Sequence, residues 1–383
     1  MDEDYSDIRA SVRALCAGFA PEYWRAMDRE RAYPAEFVKA MTDAGFLGAL
    51  IPEKYRGSGL GIAAASAILE EVHLSGGNAS ACHAQMYIMG TVLRHGSDEQ
   101  KQKFLPGIAD GSLRLQAFGV TEPTSGTDTA ALTTTAVLDG DHYVVNGQKV
   151  WTSRAEHSDM MLLLARTAPM SEGKRRHDGL SVFLVDMRAS IGKGLEVRPI
   201  RTMINHATTE VFFDDLKVPG KNLVGEAGSG FRYILDGMNA ERILIAAECI
   251  GDARWFIEKA TGYANDRRVF GRPIGQNQGV QFPIARAYAD TEAAALMAQK
   301  AARLFDAGEA CGAEANIAKH LAAEASWQAA DMCLQIFGGY GFAEEYDVER
   351  KFRETRLYQI APVSTNLILS YIAEHVLGLP RSF

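Results

Sequence analysis

No apolar run in this 383-residue chain approaches the ~20 residues a helix needs to cross a bilayer, so no membrane span is expected. Cysteine is scarce. Cys16, Cys82, Cys249, Cys311 and Cys333 are scattered, odd in number and without CxxC spacing, which argues against a disulfide framework and a redox motif. They read as reduced cytosolic thiols packed as small core residues. The nine histidines show no metal-ligand spacing. Cys82-His83 is the one adjacent Cys–His pair, and a zinc site needs about four ligands in the right geometry, so no metal is expected. Excess basic charge is missing as well: 40 basic residues against 48 acidic give a formal net charge of −8. Phosphate-backbone binding needs clustered cations, and Lys174-Arg175-Arg176 reads as a solvated hairpin tip, so nucleic acid is not an expected partner. The first residues, Met-Asp-Glu-Asp-Tyr, are acidic and lack both an apolar h-region and the Arg-rich look of a transit peptide. The expectation is a cytoplasmic protein.

The length predicts two or three domains, and hydrophobic content of 47% with 23% charged residues is ordinary for a globular chain. Up to about residue 115 the pattern is helical. Ile8, Val12 and Leu15 recur at helical spacing, Pro34 sits where a first-turn proline is tolerated, and Ser97-Asp98-Glu99-Gln100 has the form of a capping box. Near Arg114 the period changes to short β-type runs at 132–138, 142–145, 160–165, 180–187 and 209–213. Asp139-Gly140 and Asn146-Gly147 are hairpin-turn signals between them. Helical periodicity returns after Pro219, with a helix marked by Ile243, Leu244, Ala247 and Ile250. Two long alanine-rich helices, 285–307 and 314–337, are expected to pack on each other. The glycine runs Gly225-x-x-Gly228-x-Gly230 and Gly338-Gly339-x-Gly341 fail the strand-then-helix context of a dinucleotide fingerprint and read as turns.

Two β-region segments carry the most information: Phe-Gly-Val-Thr-Glu-Pro-Thr-Ser-Gly-Thr-Asp at 118–128 and Asn-Gly-Gln-Lys-Val-Trp-Thr-Ser at 146–153. A flavin needs an apolar floor and hydroxyl or backbone donors at its polar edge, and Val120, Thr121 and the Thr-Ser-Gly-Thr turn can supply both. Taken alone, such Ser/Thr/Gly clusters are ordinary turns, and a lone tryptophan is ordinarily core. Together, and joined by an Asp-Gly hairpin between helical regions, the two segments resemble the flavin-binding region of the acyl-CoA dehydrogenase family over the full length of the chain.

The resemblance implies an α+β, three-domain architecture: an N-terminal helical domain over 1–115, a middle antiparallel β-barrel over 116–222, and a C-terminal four-helix bundle over 223–383. It implies FAD, an acyl-CoA substrate, an electron-transfer flavoprotein as acceptor, a place in fatty acid metabolism and a homotetramer built as a dimer of dimers. The cofactor positions it carries over are Phe118, Val120, Thr121, Thr127, Trp151 and Ser153. Further on they are Arg267, Phe270 and Gln278 of an Arg-x-x-Phe-Gly…Gln motif reaching a neighbouring subunit, then Gln335, Gly339, Ser364 and Asn366. Thr127, Asn239 and Arg242 are the implied substrate contacts.

At the implied catalytic position the chain departs from the common pattern. Ala361-Pro362-Val363-Ser364 stands where many members carry Tyr-Glu-Gly-Thr, and proline takes no proton. A minority of the family places the base on another helix, and Glu241 of Met238-Asn239-Ala240-Glu241-Arg242 falls there. Glu248, seven residues on and nearly on the same face, is the rival. Pro362 also lacks the N–H that donates to the thioester carbonyl in relatives, a loss typically worth ~10²–10³ in rate. Alternatives therefore stay open: a flavin oxidase or monooxygenase of the same fold, or an impaired FAD- or acyl-CoA-binding relative. His83, Gln85, Met86 and Met89 lie where relatives line the acyl cavity, and their mixture hints at a short, branched, cyclic or functionalised acyl group.

Overall fold

The computed structural model describes residues 5–169 and 175–382. Lys174 of the expected basic hairpin tip, and residues 1–4 of the acidic start, lie outside that set. The described chain resolves into two compact units: Arg31–Leu60 with Ser80–Met238, and Met1–Glu30 with Gly61–Ala79 and Asn239–Phe383.

The first unit is built on a sheet of β1 Leu115–Gly119, β2 Thr135–Asp139, β3 His142–Ser153, β4 Met160–Arg166, β5 Leu180–Asp186, β6 Leu195–Pro199, β7 Thr208–Pro219 and β8 Leu223–Val224. The strand order is β6-β7-β3-β2-β4-β5-β8, with β1 added on β4. Most pairings are antiparallel, while β1 and β2 meet β4 in parallel. Asp139 pairs with His142 across the Gly140 turn, where φ is 61°, so the Asp-Gly hairpin forms as expected. Asn146-Gly147 corrects its reading: it is a bulge inside β3 and not a turn. The register slips between Val145 and Gly147, and the Asn146 side chain exchanges hydrogen bonds with Asp215 at 2.8 and 2.9 Å. Gly147 sits at φ 146°, and a Cβ there would come within 2.5 Å of Thr134 Oγ1, so only glycine fits.

Three helices of this unit, Ala35–Asp43, Ser80–His95 and Asp98–Asp110, precede the sheet. The expected capping box is present: Ser97 Oγ accepts from Gln100 N at 3.1 Å, and Gln100 Oε1 accepts from Ser97 N at 3.0 Å. One face of β4 and β5 (Leu162, Leu164, Val182, Leu184) buries against Ile88, Met89 and Phe104 of those helices. The other face (Met161, Leu163, Phe183, Val185) buries against Val145, Val211 and Phe213. Both faces are apolar, which is why β4 reads as one continuous hydrophobic run.

The second unit is helical. It includes Ser6–Cys16, Ile62–Leu74, the Asn239–Asp266 part of the 37-residue helix Gly230–Asp266, Gln278–Asp306, Gly312–Phe337 and Val348–Arg356. Small side chains on Gly312–Phe337, such as Ala322, Ala329 and Ala330, let the helices approach closely around Trp255, Phe256, Phe337 and Val348. This core is unusually ionic: Glu70, Glu71, His73, Glu248, Asp252, Lys319, Arg350, Lys351 and Glu354 are all buried in it. Among the described residues no helix is long and apolar enough to cross a membrane. Nor do three or more His, Cys, Asp or Glu side chains among them form a group able to hold a metal.

Candidate active site

The sheet unit carries Phe118, Val120, Thr121, Thr127, Trp151 and Ser153. Backbone pairing joins the two motif segments: Val150 N donates to Thr121 O at 2.9 Å, and Lys149 Nζ donates to Val120 O at 3.0 Å. Lys149 is fully buried and also donates to Glu122 Oε1 at 2.8 Å. Glu122 in turn accepts from the Thr133 and Thr134 backbone N–H groups at 2.7 and 2.9 Å. One interior ion pair therefore stitches strand β3 to both ends of the 120–134 loop. Burial works against the Glu122 carboxylate, but Lys149 and the surrounding donors hold it down at about 2. Burial lowers the Lys149 ammonium to about 8 even though Glu122 pulls it up.

Above this fixed floor Glu122 and Ser125 close a tight turn with reciprocal backbone bonds of 3.2 and 3.1 Å. Ser125 Oγ donates to Asp128 O at 2.5 Å, which leaves Thr127 exposed at the tip. Trp151 sits at a second register break of β3, between Lys149 and Thr152, at φ 60°. The break turns its indole outward, so the side chain is 59% exposed. Ser153 is half-buried two residues on. A half-buried valine, an outward-facing indole and the hydroxyls of Thr121, Thr127 and Ser153, all on a backbone fixed by a buried ion pair, fit a flat ring that is apolar on its face and polar at one edge. Phe118 is half-buried and sits edge-on to Tyr87 at 5.7 Å. Of the residues expected at the acyl cavity, Met89 packs in the interior cluster and Gln85 Nε2 donates to Ile108 O at 3.2 Å. Met86 is buried, and His83 rests on Tyr87 with ring centroids 5.0 Å apart.

The helical unit carries the other expected residues. Glu241 is only 4% exposed, and its negative charge is felt by two cations, Arg242 and Lys319. Burial depresses the Arg242 guanidinium, and Glu241 partly restores it. Arg242 Nη1 donates to Asn239 Oδ1 at 3.1 Å, so the two expected substrate contacts are joined. Glu248 is buried differently. Its Oε2 accepts from the Tyr358 hydroxyl at 2.8 Å, with His73 Nε2 3.7 Å away.

Arg267, Phe270, Gln278, Gln335 and Gly339 are exposed. Arg267 lies 5.8 Å over the Tyr340 ring, which gathers the 267 and 339–340 positions at one place. Phe270, fully exposed at φ 52°, tops the Arg268–Val269/Arg272–Pro273 hairpin. Ser364 caps the helix Thr365–Tyr371 by accepting from Leu367 N at 3.4 Å, and Asn366 is exposed in its first turn. Pro362 is exposed just before that cap.

Sequence reasoning missed Lys149, Lys319 and the buried cluster of His73, Asp252 and Lys351. The one available signal was a lysine interrupting an otherwise apolar stripe, as Lys319 does between Ala315, Ala318, Ala322 and Ala323.

Family models of the acyl-CoA dehydrogenase N-terminal, middle and C-terminal domains match residues 2–112, 117–216 and 228–377. The acyl-CoA dehydrogenase FadE12 of Mycobacterium tuberculosis is 36% identical, covering 100% of this chain and 98% of its own length. The solved glutaryl-coenzyme A dehydrogenase–glutaryl-CoA complex has a TM-score of 0.91 and 32% identity, covering 100% of this chain and 97% of that one. The prolyl acyl carrier protein oxidase AnaB has a TM-score of 0.92 at 25% identity, covering 99% of this chain and 100% of that one.

Proposed function

We propose that this chain, which belongs to the acyl-CoA dehydrogenase family, carries out the α,β-dehydrogenation of an acyl-CoA thioester with Glu241 as its base. It is an oxidoreductase with FAD as its cofactor. FAD supplies a two-electron acceptor when bound. The observation that carries the assignment is the setting of Glu241: a buried carboxylate on the helix Gly230–Asp266, next to Arg242 and within the field of Lys319. Neighbouring cations favour the ionised form that a base needs. Glu241 takes the α-proton of the substrate, and Asn239 and Arg242 orient the thioester. Residues 116–222 form the flavin side, where Val120 and Trp151 offer flat apolar contact and Thr121, Thr127 and Ser153 offer hydroxyl donors. Residues 223–383 contribute Arg267, Phe270, Gln278, Gln335, Gly339, Ser364 and Asn366. Arg267 suits the pyrophosphate, because a guanidinium forks onto phosphate oxygens. The exposed hairpin topped by Phe270 fits a contact across subunits, in keeping with the proposed homotetramer. An electron-transfer flavoprotein is the proposed acceptor.

The test is anaerobic mixing of FAD-loaded protein with a panel of acyl-CoAs while flavin absorbance is followed. Bleaching by at least one thioester is expected. Thioester binding without bleaching would leave an impaired binding protein, the outcome that Pro362 motivates. Immediate reoxidation of the bleached flavin by air, with no need of a protein acceptor, would point to oxidase chemistry, as in the name of the AnaB neighbour.

A further inference from the structure

The segment from Tyr358 to Val363 contains Pro362, which has no N–H with which to close the turn from inside. Its upstream end is tied conventionally: Ile360 and Ala361 both donate to Leu357 O at 2.9 Å. Its two ends are joined by a side chain from another helix. Lys319, fully buried on Gly312–Phe337, donates from Nζ to Tyr358 O at 2.6 Å and to Val363 O at 2.9 Å. An ammonium has three donors and no acceptor, and two of the three are spent on carbonyls, which carry no net charge. The positive charge therefore stays inside the helical core. The charged and titratable groups that act on it are Cys249 and Glu241 from the helix Gly230–Asp266, Arg242 from the same helix, and Glu324 from its own. Arg242 is in turn faced by Glu241, Tyr371 and Cys311.

We propose that Lys319 is a positioning residue for the reaction: its ammonium closes the Tyr358–Val363 turn around Pro362 and presents a buried positive charge to Glu241. The proposal rests on the reading of Glu241 as the base. Two consequences are separable. Closing the turn sets where the Pro362 segment stands. The charge acts on Glu241, and a cation near a carboxylate favours the ionised form that accepts a proton. Burial pushes the Lys319 ammonium below its usual value, and Glu241 is among the groups that restore it. Mutual support of this kind is expected of a cation and an anion sharing one core. Cys249 is not a competing anion, because burial raises its thiol well above the ordinary range.

The experiment measures the rate of anaerobic flavin reduction against pH in the FAD-loaded protein and in Lys319→Arg, Lys319→Gln, Lys319→Met and Glu241→Gln. Lys319→Gln and Lys319→Met are expected to move the acidic limb of the profile upward by about one pH unit or more, because Glu241 loses a nearby cation. Lys319→Arg is expected to leave the limb in place while lowering the rate, since the longer, planar guanidinium does not fit the fully buried place of the ammonium without shifting the two carbonyls. Should Lys319→Met fail to fold, Lys319→Gln decides, because its amide still donates to a carbonyl. An unmoved limb in a folded, FAD-loaded Lys319→Gln, with Glu241→Gln inactive, overturns the role of Lys319 and leaves the base in place. Undiminished bleaching by Glu241→Gln removes the base assignment, and this inference with it.

Discussion

The Tyr358 hydroxyl donates a 2.8 Å hydrogen bond to Glu248 Oε2 in the interior of the helical unit. Burial, and then the charge of Glu248, raise the phenol well above its ordinary value, so Tyr358 stays a donor. Glu248 is thereby committed to a structural partner, whereas Glu241, seven residues earlier on the same helix, has Arg242 and Lys319 for company. Glu241→Gln is expected to slow single-turnover flavin reduction by at least about 10²-fold, the scale of general-base catalysis. Glu248→Gln is expected to keep that rate within about tenfold while losing on the order of 1 kcal/mol of stability. Stopped-flow reduction of both variants checks this, and the reverse ranking would move the base to Glu248.

A second prediction concerns the fully buried cluster of His73, Asp252 and Lys351. Ala79 N–H donates to His73 Nε2 at 3.1 Å, which makes Nε2 the acceptor and places the ring proton on Nδ1, 2.8 Å from Asp252 Oδ1. Lys351 pairs with Asp252 and donates to Gly77 O at 3.0 Å. Burial raises the Asp252 carboxyl, but Lys351 and His73 together more than offset that and leave it below its ordinary value. Asp252→Asn would leave the buried Lys351 ammonium with only the more distant Glu354 Oε2, 3.7 Å away, and removing one partner of a buried pair typically costs ~3–5 kcal/mol. Urea unfolding of the apoprotein should register a loss of that order. A change under about 1 kcal/mol would mean that the cluster relaxes by admitting water.

Trp151 offers a spectroscopic check of the sheet side. Its indole is more than half exposed in the protein, so FAD bound against it should cover the ring and quench its emission. Loading apoprotein with FAD is expected to quench tryptophan fluorescence, and Trp151→Leu should remove most of that quench and weaken FAD binding. About 1–3 kcal/mol is the scale of one aromatic stack on a heteroaromatic ring. An undiminished quench in Trp151→Leu would place the ring elsewhere.

The helical–β–helical order was legible because each long segment carries its own period. The Ser97–Gln100 capping box and the Asp139-Gly140 turn were legible because their partners lie within three residues of each other. Strands β1 and β6 escaped notice. Each is five residues long, and β6 pairs only with β7 at one end of the strand order, so neither needs a strong alternation of its own. Asn146-Gly147 misled because the dipeptide that favours a hairpin also favours a bulge, and its neighbours Thr134 and Asp215 lie far away in sequence. The motif residues around 118–128 and 146–153 were visible as local patterns. Lys149 and Lys319 were not, because their partners stand 27–29 and 39–44 residues away. A lysine in isolation reads as a solvated side chain.

The Glu122–Lys149 ion pair beneath the 120–134 loop predicts an acid limit on stability. Glu122 is buried, and its carboxyl falls from 4.5 to about 2 on folding. A carboxylate depressed in the folded state stabilises the protein fully above its unfolded value, and that stabilisation disappears as pH falls through the folded one. The window for this group therefore runs from about 4.5 down to about 2, and the contribution is on the order of 3 kcal/mol. Equilibrium unfolding of the apoprotein should show stability falling steadily across that window, with a shallower slope in Glu122→Gln. Lys149→Met would leave Glu122 buried without its cation and should cost ~3–5 kcal/mol at neutral pH. The double variant Glu122→Gln, Lys149→Met should recover much of that loss, because no buried charge is then stranded. It should nevertheless hold FAD more weakly than the parent. Without the ammonium β3 loses its side-chain tie to Val120 O and Glu122 and keeps the loop by Val150 N to Thr121 O at 2.9 Å and the longer Thr134 Oγ1 to Gln148 O at 3.4 Å, and a loop that must be ordered on binding lowers affinity. A double variant with parental stability and parental FAD affinity would show that the backbone bonds of the loop suffice to hold it and that the pair is dispensable.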